Sequence, residues 1–386
     1  MVSLTLPTPD GTTEHYTLKG TPVLAPSAGG ERNRIAYAAA HVVADPFADN
    51  DPWLKPAIDW DRTIAYRRHL WDLGFGVAEA MDTAQRGGGL HWAESLELIR
   101  HALEAAGPED KIACGCGTDH LDPAGAKTLD DVIAAYEHQI AAIEKLGGKL
   151  VLMASRALTK VAKGPEDYAK VYDRLLFQVR EPVLIHWLGD MFDPALKGYW
   201  GSEDLDAAMQ TCLSILGDHA DKVEGIKISL LDDSKEIKMR RVLPKGVTMY
   251  TGDDFNYPAL IKGDEKGFSH ALLGIFDVIA PVAAAALDHL AAGDTAEYDR
   301  LFAPTVPLSR HIFKAPTNFY KTGVVFMAFL NGHQDHFTMI GGQESARSTQ
   351  HLAELFRLAD QAGLFADPAA AAARCAAVMA VRGIAQ

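Results

Sequence analysis

The chain is poor in cysteine, in basic charge and in long apolar runs, and each shortage removes a class of protein. Four cysteines in 386 residues cannot make a disulfide framework, so a reducing, cytoplasmic setting is expected. Lysine and arginine number 37 against 51 aspartates and glutamates, a formal charge of −14. That balance argues against a nucleic-acid backbone or an anionic membrane as the main partner. No uncharged apolar run reaches the roughly 18 residues of a membrane span. The start, Met1-Val-Ser-Leu-Thr-Leu-Pro7, lacks the basic and apolar segments of a signal peptide. No G-x-G-x-x-G follows an early strand, which lowers a dinucleotide-binding reading.

What is present is an ordinary globular composition, 48% hydrophobic and 23% charged, with ample material for a core. Turn signals stand at Pro9-Asp-Gly11 and at Ala28-Gly-Gly30. The first lies between Ser3-Leu-Thr-Leu and His15-Tyr-Thr-Leu and predicts a short N-terminal hairpin. Beyond it, apolar strand-like runs alternate with segments of helical period. The predicted strands are Ile35–Val43, Val77–Met81, Ile112–Gly115, Leu150–Ala154, Val183–Trp187, Gly225–Leu230, Val247–Thr251 and Gly267–Leu272. Eight strand–helix units are the count of an α/β fold of the (β/α)8 TIM barrel type. An open doubly wound sheet gives the same alternation. The expected organisation is an N-terminal extension over 1–33, a barrel over 34–293 and a C-terminal helical appendage over 294–386. Cys114 and Cys116 are two apart on one strand and are expected to line the barrel interior.

In such a barrel the reacting groups gather at the C-terminal strand ends. Lys227, inside the apolar run Val223-Glu-Gly-Ile-Lys-Ile-Ser-Leu230, is the residue of greatest interest. A desolvated amine sheds its proton and becomes a nucleophile toward carbonyl carbon. The same lysine could instead bend its stem to water or pair with a carboxylate. Around it the strand ends offer Asp82, Thr83, Gln85 and Arg86, then Arg156, His186, Gly252, Asp253 and Asp254, with Phe268 and Ser269 on strand eight. The run Gly87–Gly89 would let backbone N–H groups approach an anion, or would form a loop tip. One of Asp253 and Asp254 is expected to cap the helix that follows. His333-x-Asp335-His336 has loose spacing and no evident fourth ligand, so no metal site is expected there.

These residues resemble a known superfamily. Gly225-Ile-Lys227, Thr251-Gly-Asp-Asp254 beginning its G-D-D 25 residues later, and Gly267-Phe-Ser269 are similar to motifs of the dihydrodipicolinate synthase and N-acetylneuraminate lyase superfamily. Asp82-Thr-Ala-Gln-Arg86 and Leu90-His-Trp-Ala-Glu94 sit where that superfamily has its G-T-T-G-E loop and the helix after it. The resemblance covers about residues 35 to 365 and looks like a divergent, uncharacterised branch. It implies that Lys227 forms a Schiff base with a keto compound and that no cofactor is needed. It also implies a homo-oligomer, a dimer or a tetramer.

The departures are specific. Ala84 replaces the loop's second threonine, Gln85-Arg86 replace its Gly-Glu, and the strand-four tyrosine that relays protons is absent, with Ser155 or Arg156 in its place. Arginine stays charged and is a poor relay, so His186 is the expected acid/base by its ordinary pKa. Asp82, Thr83, Gln85, Arg156, Gly252, Asp253, Phe268 and Ser269 are expected to bind substrate. The expected activity is that of a class I aldolase, lyase or dehydratase acting on a keto acid or keto sugar derived from carbohydrate. Two alternatives are open: a metal-dependent barrel lyase or isomerase using Asp45, Asp82, Asp119, His120 and His186, and a ligand-binding barrel without turnover.

Overall fold

The computed structural model describes residues 2–23 and 31–386; the turn at Ala28-Gly-Gly30 lies outside them. Two antiparallel strands, β1 (Ser3–Pro7) and β2 (Thr13–Thr17), form the hairpin, with Ser3 opposite Thr17 and Pro7 opposite Thr13. The hairpin packs on the C-terminal helices. Arg357 donates to the Pro7 carbonyl at 2.8 Å, and the Tyr16 hydroxyl donates to Asp360 at 2.7 Å.

Eight parallel strands then close a barrel: β3 (Ala36–Ala39), β4 (Gly76–Glu79), β5 (Ile112–Cys116), β6 (Lys149–Met153), β7 (Val183–Leu188), β8 (Val223–Ser229), β9 (Thr248–Thr251) and β10 (His270–Leu273). Each pairs with its neighbour in sequence, and β10 closes on β3. The closed ring decides between the barrel and the open sheet. Helices follow the strands on the outside, and the remaining helices, from Thr295–Phe302 to Pro368–Val381, form the appendage. Local signals set several ends. Thr128 and Asp131 make a capping box at the start of helix Leu129–Lys145, and Pro165 opens the next long helix at its first turn, where a missing N–H costs little.

Alternation along β8 fixes the site. Ile226 and Ile228 face the outer layer between strands and helices, so Gly225, Lys227 and Ser229 face inward. The interior is filled by Tyr37, Ala39, Ala78, Met81, Ala113, Val151, Leu184, Tyr250 and Leu272. Gly225 is required here, because a Cβ on it would stand 2.7 Å from the Tyr250 ring. The Tyr250 hydroxyl donates to Glu224 at 2.9 Å, and Lys149 pairs with the same carboxylate.

Three expectations shift. Cys114 and Cys116 share a face as expected, but it is the outer one, and Ala113 is the β5 residue in the interior cluster. β3 stops at Ala39, where its partner Ala78 is nearly at the end of β4. β10 begins at His270, because the chain is still turning at Gly263–Gly267, where Asp264 and Gly267 exchange backbone hydrogen bonds. Phe268 and Ser269 therefore precede the strand and lie at the N-terminal end of the barrel, opposite the mouth.

Candidate active site

Lys227 is buried near the C-terminal end of β8, level with His186 on β7 and Tyr250 on β9. Its side chain enters a narrow cavity of about 10 Å³, lined by Ala39, Met81, Asp82, Thr83, Leu188, Phe192, Ser229, Asp254, Gly274 and Tyr320. That is room for about one water. Through Asp82 and Leu188 it adjoins a larger antechamber of about 270 Å³ at the barrel mouth. Burial lowers the Lys227 pKa from its ordinary value, and the carboxyls of Asp254 and Asp82 offset only part of that. Desolvation wins because it acts on the whole ammonium, while neither carboxyl is close enough to form an ion pair.

Asp254 faces the amine. Its Oδ1 accepts the Ile275 amide at 2.8 Å, and its carbonyl accepts the Ser309 hydroxyl from the appendage. Burial pushes its carboxyl up to about 7, against the pull of the Ile275 amide and Lys227. Neither aspartate caps the helix Tyr257–Lys262, whose N-cap is Asn256 without a side-chain bond; Asp253 closes the turn that precedes it. Its Oδ1 accepts the amides of Phe255 and Asn256, and its Oδ2 accepts the Asn256 side chain. Its carboxylate is thus occupied by its own loop. Gly252 makes space rather than contact: a Cβ there would lie 2.6 Å from Lys227 Cε, 2.2 Å from Ser229 Oγ and 2.7 Å from the Ile228 carbonyl.

Thr83 and Tyr320 form the other wall. The Thr83 hydroxyl and the Tyr320 hydroxyl are 2.8 Å apart and both are buried. Tyr320 opens the appendage helix Tyr320–Leu330, so the appendage reaches into the lysine cavity. Burial, reinforced by Asp82, holds the Tyr320 hydroxyl well above the ordinary tyrosine pKa. No motif announced this residue. The available signal was a hydroxyl at the head of a largely apolar helix. Gly274 permits the arrangement, since a Cβ would stand 3.3 Å from the Tyr320 ring and 3.4 Å from Thr83 Oγ1. The backbone is left-handed at Ala80 (φ 51°) and Gln85 (φ 63°). These two strained residues bracket Asp82–Thr83 and turn that segment toward the lysine.

His186 lines the antechamber, and its Nε2 lies 3.1 Å from Ser229 Oγ. Burial, aided by Lys227, holds its pKa well below the ordinary value. It is therefore a neutral imidazole oriented by Ser229, not a group poised near neutrality. Arg156 lines the antechamber with half its side chain exposed, and its Nε donates to Asp193 at 2.5 Å. Ser155 caps the short helix Arg156–Val161 and bonds Thr118 at 2.6 Å.

The structure takes other residues away from the lysine. Gln85 donates to the Ile340 carbonyl at 2.8 Å, and Gln343 donates to Gly88 at 2.6 Å, so the glycine run is held by the appendage. Arg86 is consumed in bracing two loops, bonding Asp119, Gln139 and the carbonyls of Ala80 and Gly115. Phe268 stacks under Arg34, and Ser269 donates to Glu236 at 2.6 Å.

The metal-ligand alternative does not assemble. Asp45 caps its own loop at Phe47, Asp119 is held by Arg86, and His120 bonds Gln139. Of that set, Asp82 and His186 line the antechamber with Asp119. Asp335 pairs with Arg62, while His333 packs against Tyr66 and His69. Among the described residues no group of three or more His, Cys, Asp or Glu side chains is arranged to hold a metal ion.

The fold of this chain is similar to that of several solved structures. A dihydrodipicolinate synthase from Oceanobacillus iheyensis is similar over 84% of this chain and 95% of its own, with a TM-score of 0.59 and 15% identity. A putative dihydrodipicolinate synthetase from Pseudomonas aeruginosa gives 86% and 100%, 0.63 and 18%. The chloride-inhibited enzyme from Acinetobacter baumannii, complexed with pyruvate, gives 86% and 99%, 0.61 and 14%. At these identities the likeness is one of fold. The chain belongs to the family described as "Protein of unknown function (DUF993)", whose pattern matches residues 4–384. No curated protein matches it. Among the described residues no helix is long and apolar enough to cross a membrane.

Proposed function

We propose that the protein is a class I, Schiff-base-forming lyase of the aldolase or dehydratase type, acting on a polar keto compound through Lys227. One observation carries the reading: a buried lysine with no ion-pair partner among the described residues, its pKa lowered by burial, enters a cavity that also holds an acid and a hydroxyl pair. The fold likeness to synthases of this type agrees with it.

The neutral Nζ adds to the carbonyl carbon, and the carbonyl oxygen takes up a proton to give a carbinolamine. Loss of that hydroxyl as water leaves an iminium. In a lyase step, a base takes the proton of a hydroxyl β to the iminium carbon and the carbon–carbon bond breaks. Its electron pair moves into the iminium to form an enamine. In a dehydration, a base removes the α proton and the β hydroxyl leaves as water. Either path needs a group that exchanges protons near neutral pH beside Nζ. Asp254, pushed up to about 7, fits that need. The Thr83–Tyr320 pair supplies hydroxyls that hand a proton along without carrying charge. His186 contributes a fixed neutral hydrogen-bonding group toward the antechamber.

The test is reductive trapping. Wild-type protein is incubated with keto sugars and 2-oxo acids, treated with borohydride and weighed intact. A mass gain that is absent in Lys227→Met supports the reading. No gain with any carbonyl compound across neutral pH would sink it.

A further inference from the structure

The lysine cavity carries acids where a 2-oxo acid would need donors. Apart from Lys227, the charged side chains that line it are Asp82 and Asp254, beside the hydroxyls of Thr83, Ser229 and Tyr320. Among the described residues neither oxygen of the Asp82 carboxylate accepts a hydrogen bond, and this side chain stands where the cavity meets the antechamber. A carboxylate with both oxygens free at such a junction is an acceptor waiting for O–H or N–H donors.

Several donors near the cavity are committed elsewhere. The Ala84 amide donates to the Met81 carbonyl and the Gln85 amide to Asp82, closing a tight turn; Gly87 and Gly88 donate to Leu90 and Gln85. Arg86 is saturated by Asp119, Gln139 and two carbonyls. Arg156 is at the antechamber with Asp193, outside the lysine cavity. Lys321 donates to the Asn318 carbonyl and lies over the Tyr320 ring at 4.7 Å. A carboxylate bonded to the carbonyl carbon is one bond from the atom Nζ attacks. It would therefore enter a space already walled by two acids, where like charges repel.

From this arrangement we infer that the substrate carbonyl is flanked by hydroxyl-bearing carbon, as in a ketose or other hydroxyketone, and that Asp82 accepts one or more of those hydroxyls. The inference rests on the Schiff-base reading above and narrows it. The carbonyl end enters the small cavity, and the rest of a sugar-sized molecule fits the antechamber of about 270 Å³. Bond making is unchanged: Nζ joins the carbonyl carbon and its oxygen leaves as water.

The experiment compares dihydroxyacetone with pyruvate under borohydride, each rate divided by its rate with free N-acetyl-lysine to remove intrinsic reactivity. Wild type is expected to favour dihydroxyacetone at least tenfold on this scale. Asp82→Asn, which loses no side-chain partner, is expected to narrow that ratio by trapping pyruvate faster. Pyruvate trapped as fast as dihydroxyacetone in the wild type, or a ratio unmoved by Asp82→Asn, overturns the inference while leaving the Schiff-base reading intact. No adduct with either compound or with any other keto compound overturns both.

Discussion

Replacing Gly252 with alanine puts a methyl group where the lysine stem passes. The new Cβ would lie 2.6 Å from Lys227 Cε and 2.2 Å from Ser229 Oγ, both side-chain atoms that can retreat. It would also lie 2.7 Å from the Ile228 carbonyl, which is backbone and cannot. Carbon atoms pack best at about 3.5–4.0 Å, so the lysine stem must withdraw by about 1 Å. Overpacking of this kind costs about 1–3 kcal/mol. A 1 Å misplacement of a reacting group costs on the order of 100-fold in rate. The variant is thus expected to remain folded, with a melting temperature lowered by a few degrees, yet to be trapped with dihydroxyacetone about 100-fold more slowly. Intact mass at timed borohydride quenches reads the rate, and calorimetry reads the stability. A trapping rate within twofold of wild type would refute the reasoning, because the amine would then not depend on the space Gly252 leaves.

Three further outcomes follow from the same geometry. Tyr320→Phe removes the hydroxyl paired with Thr83 at 2.8 Å; stability should fall by no more than about 1.5 kcal/mol, while adduct formation slows by about 100-fold or more, and an unchanged rate would exclude Tyr320 from proton transfer. Asp254 is held at about 7 in the fold against 3.8 in the free chain, so the folded state keeps a proton that the unfolded chain has released. The stability this contributes is present below pH 3.8 and is lost as pH rises through about 7. Denaturant midpoints at pH 5 and pH 8 should therefore show wild type losing more than Asp254→Asn, and equal losses would contradict the assignment. Ser269→Ala, at the far end of the barrel, should leave trapping unchanged and cost about 1–3 kcal/mol by depriving buried Glu236 of its donor; slower trapping would show that the two ends are coupled.

Much of this was legible in the chain because it is local. An interior lysine in an apolar run, the strand–helix rhythm and the hairpin turn depend on residues close in sequence. The site's other groups depend on contacts that no local pattern records. Tyr320 meets Thr83 across 237 residues, brought there by an appendage helix whose composition reads as plain core. Asp253 and Asp254 are indistinguishable as letters. The fold separates them by giving one the loop amides and the other the lysine. Ser269 and Phe268 were misplaced by where β10 starts, since a glycine turn continues past the point where the apolar pattern begins. Cys114 and Cys116 show the same weakness on a smaller scale: an alternating pattern says that two residues share a face, but not which face.

The central claim is that Lys227 is the amine that captures a carbonyl. It is tested most directly by locating the reduced adduct. Wild-type protein treated with dihydroxyacetone and borohydride is digested, and the modified peptide is sequenced by mass spectrometry. The account predicts one modified lysine, at position 227, and no adduct in Lys227→Met. An adduct at Lys321 or at another lysine, or the same adduct in Lys227→Met, would contradict it.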